Sequence, residues 1–332
     1  MRKRCVVLLS GGLDSMLAIR IMQEQDIEVE ALNFKTVFTC CQDTSAQAAH
    51  DLGVRLTVIG QEDDYLDLIK RPKFGRGKGA NPCVDCRIYI FDKAKHFMDQ
   101  VGAQFMASGE VVGQRPMSQK KRDLEIISHH SDCEDILLRP LSAKLLRPTK
   151  PERDGLVDRE RLYDIEGRSR KVLIELAKKY GLKNIPTPST GCSLTEPQFS
   201  KTVFDLIQIK PDSRRWDFES LNVARHFRFD ENTKILVGRN HAENTQLEYL
   251  HKLPDAASTA IVQPGNFTGP IGLIVGPSDD APISFAAGLL ARYSKNADAD
   301  DVYVEVNDES GVRIVKAKLT RDVKDARTLA SA

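Results

Sequence analysis

The chain has 332 residues, of which 41% are hydrophobic and 29% charged, a composition that excludes a disordered or fibrous chain. The length exceeds what one hydrophobic core usually supports, so two domains are expected. Forty-eight basic residues against 47 acidic ones leave a formal charge of +1, so a polyanionic partner must be read from local clusters.

No stretch approaches the roughly 18 apolar residues that a membrane helix needs. The apolar run Cys5 to Leu9 is too short for a signal peptide. A cytoplasmic protein with no membrane partner is expected. Seven cysteines are too sparse for a disulfide scaffold. Closely spaced cysteines then point to metal or redox chemistry.

In chain order, Arg4 to Leu9 reads as a buried strand that breaks at Ser10-Gly11-Gly12. Leu13 to Gln25 carries helical spacing. Val29 to Phe34 is a second strand, Ser45 to Leu52 a helix stopped by Gly53, and Val54 to Ile59 a third strand. This alternation predicts a parallel sheet wrapped by helices, with ligands at the carboxyl ends of the strands. Lys70 to Asn81 reads as a mobile loop, Val84 to Gln100 as a helix, and Gln104 to Ser108 and Ile136 to Leu138 as strands. Helices follow at Ser169 to Tyr180 and around Gln198 to Ile209. Beyond Pro211 to Trp216 the pattern changes. Short strands (Lys234 to Val237, Ile271 to Val275, Val302 to Val306, Val312 to Val315) accompany one clear helix, Ser284 to Tyr293. The expected domains are therefore 1–212 and 213–332, an α/β parallel-sheet domain followed by a smaller α+β domain.

Ser10-Gly11-Gly12-Leu13-Asp14-Ser15 sits between a strand and a helix. Glycines there let the backbone approach an anion, and the helix start attracts phosphate. The Ser10 and Ser15 hydroxyls can donate to phosphate oxygens, and Asp14 can hold Mg²⁺. The hexapeptide resembles the signature of the PP-loop, or N-type ATP pyrophosphatase, superfamily, whose fold is adenine nucleotide alpha hydrolase-like. The resemblance implies that ATP is split between its α and β phosphates. It places Asn33 and Phe34 near the adenine, and Gly109 and Gln114 along the nucleotide site.

Asn81-Pro82-Cys83-Val84-Asp85-Cys86 supplies a C-x-x-C pair at a loop-to-helix junction, and Thr190-Gly191-Cys192 a third cysteine in a loop. Three thiolates suit a [4Fe–4S] cluster with one open iron. Structural zinc would want a fourth ligand, for which His129, His130 and Cys133 are candidates read mostly as surface polar residues and a packed thiol. The metal-free alternative is a persulfide on one cysteine that another resolves as a disulfide. Cys5, Cys40, Cys41 and Cys133 read as structural.

Asn81-Pro82-Cys83 with Cys86 and the later Gly191-Cys192 resembles the tRNA 2-thiouridylases. Ser108 to Gln119 and Leu138-Arg139-Pro140-Leu141 are similar to segments of the tRNA 4-thiouridine synthases. Over residues 1 to about 210 the resemblance implies ATP-dependent sulfur insertion into a tRNA uridine. The uridine oxygen is adenylated, and sulfide comes from the cluster held by Cys83, Cys86 and Cys192. Asp14 and these cysteines are then the catalytic residues. 4-Thiouridine is the expected product. The alternatives are 2-thiouridine made through a persulfide cysteine and a non-catalytic RNA-binding quality-control factor. Amide or nitrile formation with ammonia is a further rival, but it would want four zinc ligands. The sulfur donor, sulfide or a cysteine desulfurase, is external, because no rhodanese-like carrier follows and no THUMP-type region precedes the loop. A homodimer stays open.

Lys70 to Lys95 holds eight basic and two acidic residues and is a candidate tRNA backbone reader. Leu236-Val237-Gly238-Arg239-Asn240, Glu243-Asn244, Ala286 to Lys295 and Val302 to Val306 resemble the NFACT-R domain, a module that implies RNA binding. The match departs around Asp255 to Val262, where an aromatic–His segment is missing. A docking or dimerisation domain is the alternative.

Overall fold

The computed structural model describes residues 3–39, 44–188, 191–294, 301–317 and 321–331. It divides into two compact units, Met1–Ser193 and Leu194–Ala332. Among the described residues, no helix is long and apolar enough to cross a membrane.

The first unit runs β1 (Arg4–Leu8), α1 (Leu13–Gln23), β2 (Glu28–Lys35), α2 (Thr44–Leu52), β3 (Arg55–Gly60), α3 (Asp64–Lys70), α4 (Cys83–Gln100), β4 (Phe105–Ser108), α5 (Lys121–His130), β5 (Leu137–Leu138), α6 (Lys150–Arg153) and α7 (Lys171–Lys179). Its sheet has the order β3-β2-β1-β4-β5, and every pairing is parallel. Side chains alternate across each strand. Cys5, Val7 and Leu9 therefore pack with α1 and α7 through Leu17, Ile21 and Leu173. Val6 faces the other way, onto Phe91, Phe97 and Ile127 of α4 and α5. Both faces are covered, as a parallel sheet requires. Strand order reverses at β1, between β2 and β4, which makes the carboxyl ends of β1 and β4 the natural ligand crevice.

The segment expected to be a mobile loop is pinned. The Asp85 carboxylate, only 4% exposed, accepts from the backbone N–H groups of Lys73 (2.8 Å) and Phe74 (3.1 Å). Arg76 donates to the Ile69 carbonyl, and Gly77 to that of Asn81.

The second unit runs α8 (Pro197–Ile209), α9 (Arg215–Ser220), β6 (Arg225–Arg228), β7 (Lys234–Val237), α10 (His241–His251), β8 (Ser258–Pro264), β9 (Gly272–Val275), α11 (Asp280–Arg292), β10 (Val302–Asp308), β11 (Gly311–Ala317) and α12 (Arg321–Asp325). An antiparallel sheet of order β11-β10-β8-β9-β7-β6 carries α11 on one face, over Ile235, Val262 and Val304. Trp216 of α9 and Leu247 and Leu250 of α10 pack on the other, over Leu236, Ile261 and Leu273. This is the α+β unit expected. The units part at 193/194 rather than at 212/213, because α8 belongs with the second one: Asp205 pairs with Arg228, and Lys210 beyond the helix pairs with Asp217 at 3.0 Å.

Candidate active site

The glycine loop after β1 forms a tight turn into α1. Gly11 has φ +78°, and a Cβ there would stand 2.2 Å from Thr44 Oγ1. Only glycine tolerates both constraints. Ser15 Oγ donates to the Gly12 carbonyl at 2.8 Å and lies 3.4 Å from Ser10 Oγ, so the two hydroxyls converge on the mouth of the loop. Across the crevice, Gly109 follows β4. A Cβ on it would meet the carbonyl carbon of Asp14 at 2.4 Å, so the two loops of the switch point touch through their backbones.

Burial pushes the Asp14 carboxyl up. A hydrogen bond from Gln114 and the charges of Arg115 and Arg170 hold it back. Gln114, expected along the nucleotide site, thus meets Asp14. Asn33 Nδ2 donates to the Leu9 carbonyl at 2.8 Å, while its buried Oδ1 has no partner among the described residues. Such an acceptor fits an amino group of a bound base. Phe34 packs edge-on with Tyr89, ring centroids 5.7 Å apart. The narrow glycine cradle, the convergent hydroxyls and this acceptor fit ATP.

Cys83 and Cys86 occupy the first turn of α4, both half-buried. Burial raises both thiols. At Cys83 the neighbouring Cys86 raises it further, and Arg87 and Arg115 oppose the rise. At Cys86 a hydrogen bond from Tyr65, at 3.3 Å, and Arg87 oppose it. Cys192 lies on the loop whose next residue, Ser193, donates from Oγ to the Phe38 carbonyl just beyond β2. A charge on Cys192 bears on Tyr65 as one on Cys86 does.

The structure gives the expected cluster site no support. Among the described residues, no group of three His, Cys, Asp or Glu side chains is placed to hold a metal. Cys83 and Cys86 share a helix turn and Cys192 comes from a separate loop beside Tyr65, and the three thiols are not gathered as a metal ligand set among the described residues. The other candidates stay apart from it. Cys133 is fully buried and donates to the Ser131 carbonyl, and His129 pairs with Glu134 at 3.0 Å. Cys5 is buried inside β1. Cys40 and Cys41 lie outside the described residues.

Three participants are not among the site residues expected from the sequence, although Glu110 and Arg115 lie within the Ser108 to Gln119 segment. Arg115 stands in the fields of Asp14, Cys83, Glu110 and Arg87 at once. Glu110, 2% exposed, accepts from Arg139 Nε at 2.9 Å and Ser108 Oγ at 3.2 Å, and faces Arg87 at 3.6 Å. Tyr65 comes from α3, a helix absent from the sequence expectations.

Residues 3–147 match the family described as tRNA methyl transferase HUP domain. Over those residues the N-terminal unit is similar to HUP domains, in keeping with its parallel α/β sheet. Residues 224–325 match the NFACT protein RNA binding domain, in agreement with the resemblance of the second unit. The chain is similar to the tRNA-specific 2-thiouridylase MnmA of Sulfurimonas denitrificans, 29% identical over 34% of this chain and 36% of that one. It is also similar to the protein of the same description from Mesoplasma florum, 25% identical over 64% of this chain and 61% of that one. The chain thus spans between about a third and three-fifths of the length of these curated relatives. A solved 4-thiouridine synthetase–RNA complex with bound ATP aligns over 66% of this chain and 53% of that one, with 18% identity and a TM-score of 0.39.

Proposed function

We propose that the protein is an ATP-dependent tRNA uridine thiolase of the 2-thiouridine type that works through a persulfide cysteine. The observation that carries this reading is Arg115, whose charge is shared between Asp14 of the phosphate loop and Cys83 of the thiol pair. It joins nucleotide activation and sulfur chemistry in one cleft. The similarity to 2-thiouridylases and the poor fit of the cysteines to a metal favour 2-thiouridine and persulfide chemistry over 4-thiouridine and a cluster.

The loop Ser10 to Ser15 would hold the departing pyrophosphate, with Asp14 as the ligand for Mg²⁺, which supplies charge neutralisation when bound. Asn33 and Phe34 would receive the base, and Gly109 keeps the crevice narrow. The uridine carbonyl oxygen attacks the α-phosphate, and pyrophosphate leaves. The outer sulfur of a cysteine persulfide then attacks the activated carbon, and AMP leaves with the oxygen. A second cysteine thiolate attacks the inner sulfur. The bond between the inner sulfur and the uridine sulfur breaks, its electron pair stays on the thiouridine, and a disulfide is left. A dithiol reductant and a persulfide donor, such as a cysteine desulfurase, reset the pair. A cytoplasmic setting, where thiols stay reduced and tRNA is present, fits this reading.

For tRNA docking, part of the positive charge of residues 70–95 is committed: Lys93 pairs with Glu62, Lys70 with Asp67, and Arg87 with Glu110. Arg71, Lys73 and Lys78 stay exposed and would meet phosphates, with the NFACT-type unit as a second RNA surface.

Purified protein, a persulfide donor, ATP and unmodified tRNA should yield thiouridine by nucleoside mass spectrometry, and Asp14→Ala should abolish it while tRNA binding persists. A failure of the wild type to exchange pyrophosphate into ATP would instead favour an RNA-binding factor.

A further inference from the structure

Tyr65 lies outside every motif of the sequence. Its ring is 2% exposed and is fixed by Phe34 and Tyr89, at centroid distances of 6.4 and 5.3 Å. Its hydroxyl stands 3.3 Å from Cys86 Sγ, a hydrogen-bond distance for sulfur. Thr36, just beyond β2, is the other neighbour of that hydroxyl. The Cys192 loop is tied to the same strand end through the bond from Ser193 to Phe38.

Cys83 and Cys86 are three residues apart on one helix, a spacing that sets two side chains face to face. Left alone, they would be each other's nearest partners. The phenol supplies the competing contact. We infer that Tyr65 is a positioning residue for sulfur transfer, its buried hydroxyl holding the Cys86 sulfur toward Cys192 and away from Cys83. The assignment rests on the persulfide reading above. The hydroxyl and the Cys86 sulfur share one hydrogen bond at rest, in which the hydroxyl becomes the donor once Cys86 ionises for attack. When Cys86 and Cys192 join as a disulfide, the two thiols have lost two electrons and two protons, and the phenol is released from a charged acceptor to a neutral one, with Thr36 as its remaining partner.

The test uses the full chain and a diazene oxidant, diamide, which takes those two electrons and two protons and becomes the hydrazine. After brief oxidation and quenching, peptide mass spectrometry gives the partition between the Cys86–Cys192 and Cys83–Cys86 disulfides. In Tyr65→Phe, which removes one oxygen and keeps the ring, the Cys83–Cys86 share should rise about threefold. In single-turnover thiolation kcat should fall about tenfold with KM for tRNA unchanged, a split that a general loosening of the fold would not give. An unchanged partition overturns the inference. If Tyr65→Phe does not fold, replacement of all seven tyrosines by 3-fluorotyrosine, a stronger donor of the same shape, should lower the Cys83–Cys86 share; an unchanged share there also overturns it. Cys86→Ser separates the two levels. If it still thiolates tRNA, the persulfide reading through Cys86 fails, whereas the partition in the wild-type background reports on Tyr65 regardless.

Discussion

Gly109 lies flat against Asp14: a Cβ at position 109 would stand 2.4 Å from the Asp14 carbonyl carbon and 2.5 Å from its oxygen. Backbone, not a flexible side chain, occupies that space, so Gly109→Ala must push the two loops apart. Displacements of this size cost orders of magnitude when they move catalytic groups. The expected result is a drop of at least about tenfold in ATP–pyrophosphate exchange, with most of the tRNA affinity kept, as measured by filter binding. Exchange equal to that of the wild type would show that the crevice is not where ATP sits.

Glu110 and Arg139 form a pair with side chains 3% and 6% exposed, in which Arg139 also donates to Ser128 Oγ at 3.0 Å. Removal of one partner leaves the other charge buried without compensation, a loss of about 3–5 kcal/mol. Glu110→Leu should therefore unfold the first unit at markedly lower urea, whereas Glu110→Leu with Arg139→Met should recover most of the loss. Circular dichroism at 222 nm with a double-mutant cycle measures this. An additive cycle would mean that the pair does not act as a pair.

What the sequence revealed, and what it hid, follows from how far each feature depends on contacts distant along the chain. The alternation of Cys5, Val7 and Leu9 with Val6, and the glycine break after it, are local patterns, and they located the sheet and the glycine turn into α1 correctly. Helix α10 escaped because it buries little beyond Leu247 and Leu250, and α5 because Leu124 and Ile127 are its only large buried apolar groups. Tyr65 had no local signature, and Arg115 lay in the Ser108 to Gln119 segment without a role of its own. Their roles arise only when the fold carries Arg115 to Asp14 and Cys83, and Tyr65 to Cys86, 21 residues away. The three-cysteine reading meets the same limit: spacing brings Cys83 and Cys86 together on one helix turn, but only the fold sets where Cys192 lies.

His226 gives the second unit an acid limit. The ring is buried at 4% exposure, its Nε2 pairs with the Val223 carbonyl at 2.9 Å, and desolvation, helped by the charge of Lys234, lowers its pKa to about 3 from an ordinary 6.5. The folded state refuses the proton that the unfolded state accepts. Stability is therefore full above pH 6.5 and declines as pH falls from 6.5 toward 3, by up to about 1.4 kcal/mol per pH unit. The protein has a single tryptophan, Trp216, inside this unit, so its fluorescence follows the unit alone. His226→Gln should flatten the slope of urea midpoint against pH between 6.5 and 4; a slope equal to the wild type's would assign acid sensitivity to other groups.

Lys234 is 5% exposed at the start of β7, on the sheet face that carries α9 and α10, and burial lowers its pKa to about 8 from 10.5. Asp205 and Asp217 oppose the shift, but each already has a cation, Arg228 and Lys210. Because the fold disfavours the charged amine, stability is greatest above pH 10.5 and falls as pH drops to 8, where the loss levels off at about 3 kcal/mol. Lys234→Met keeps the apolar stem and removes the amine. At pH 7 it should stabilise the unit by about 2 kcal/mol in Trp216-monitored urea melts, part of the desolvation cost being offset by the lost attraction to the two aspartates. The gain should shrink toward zero as pH is raised through 10. A destabilised variant at pH 7 would mean that the ammonium is held by an ion network stronger than its burial, and that this network, rather than the apolar sheet, secures α8 to the unit.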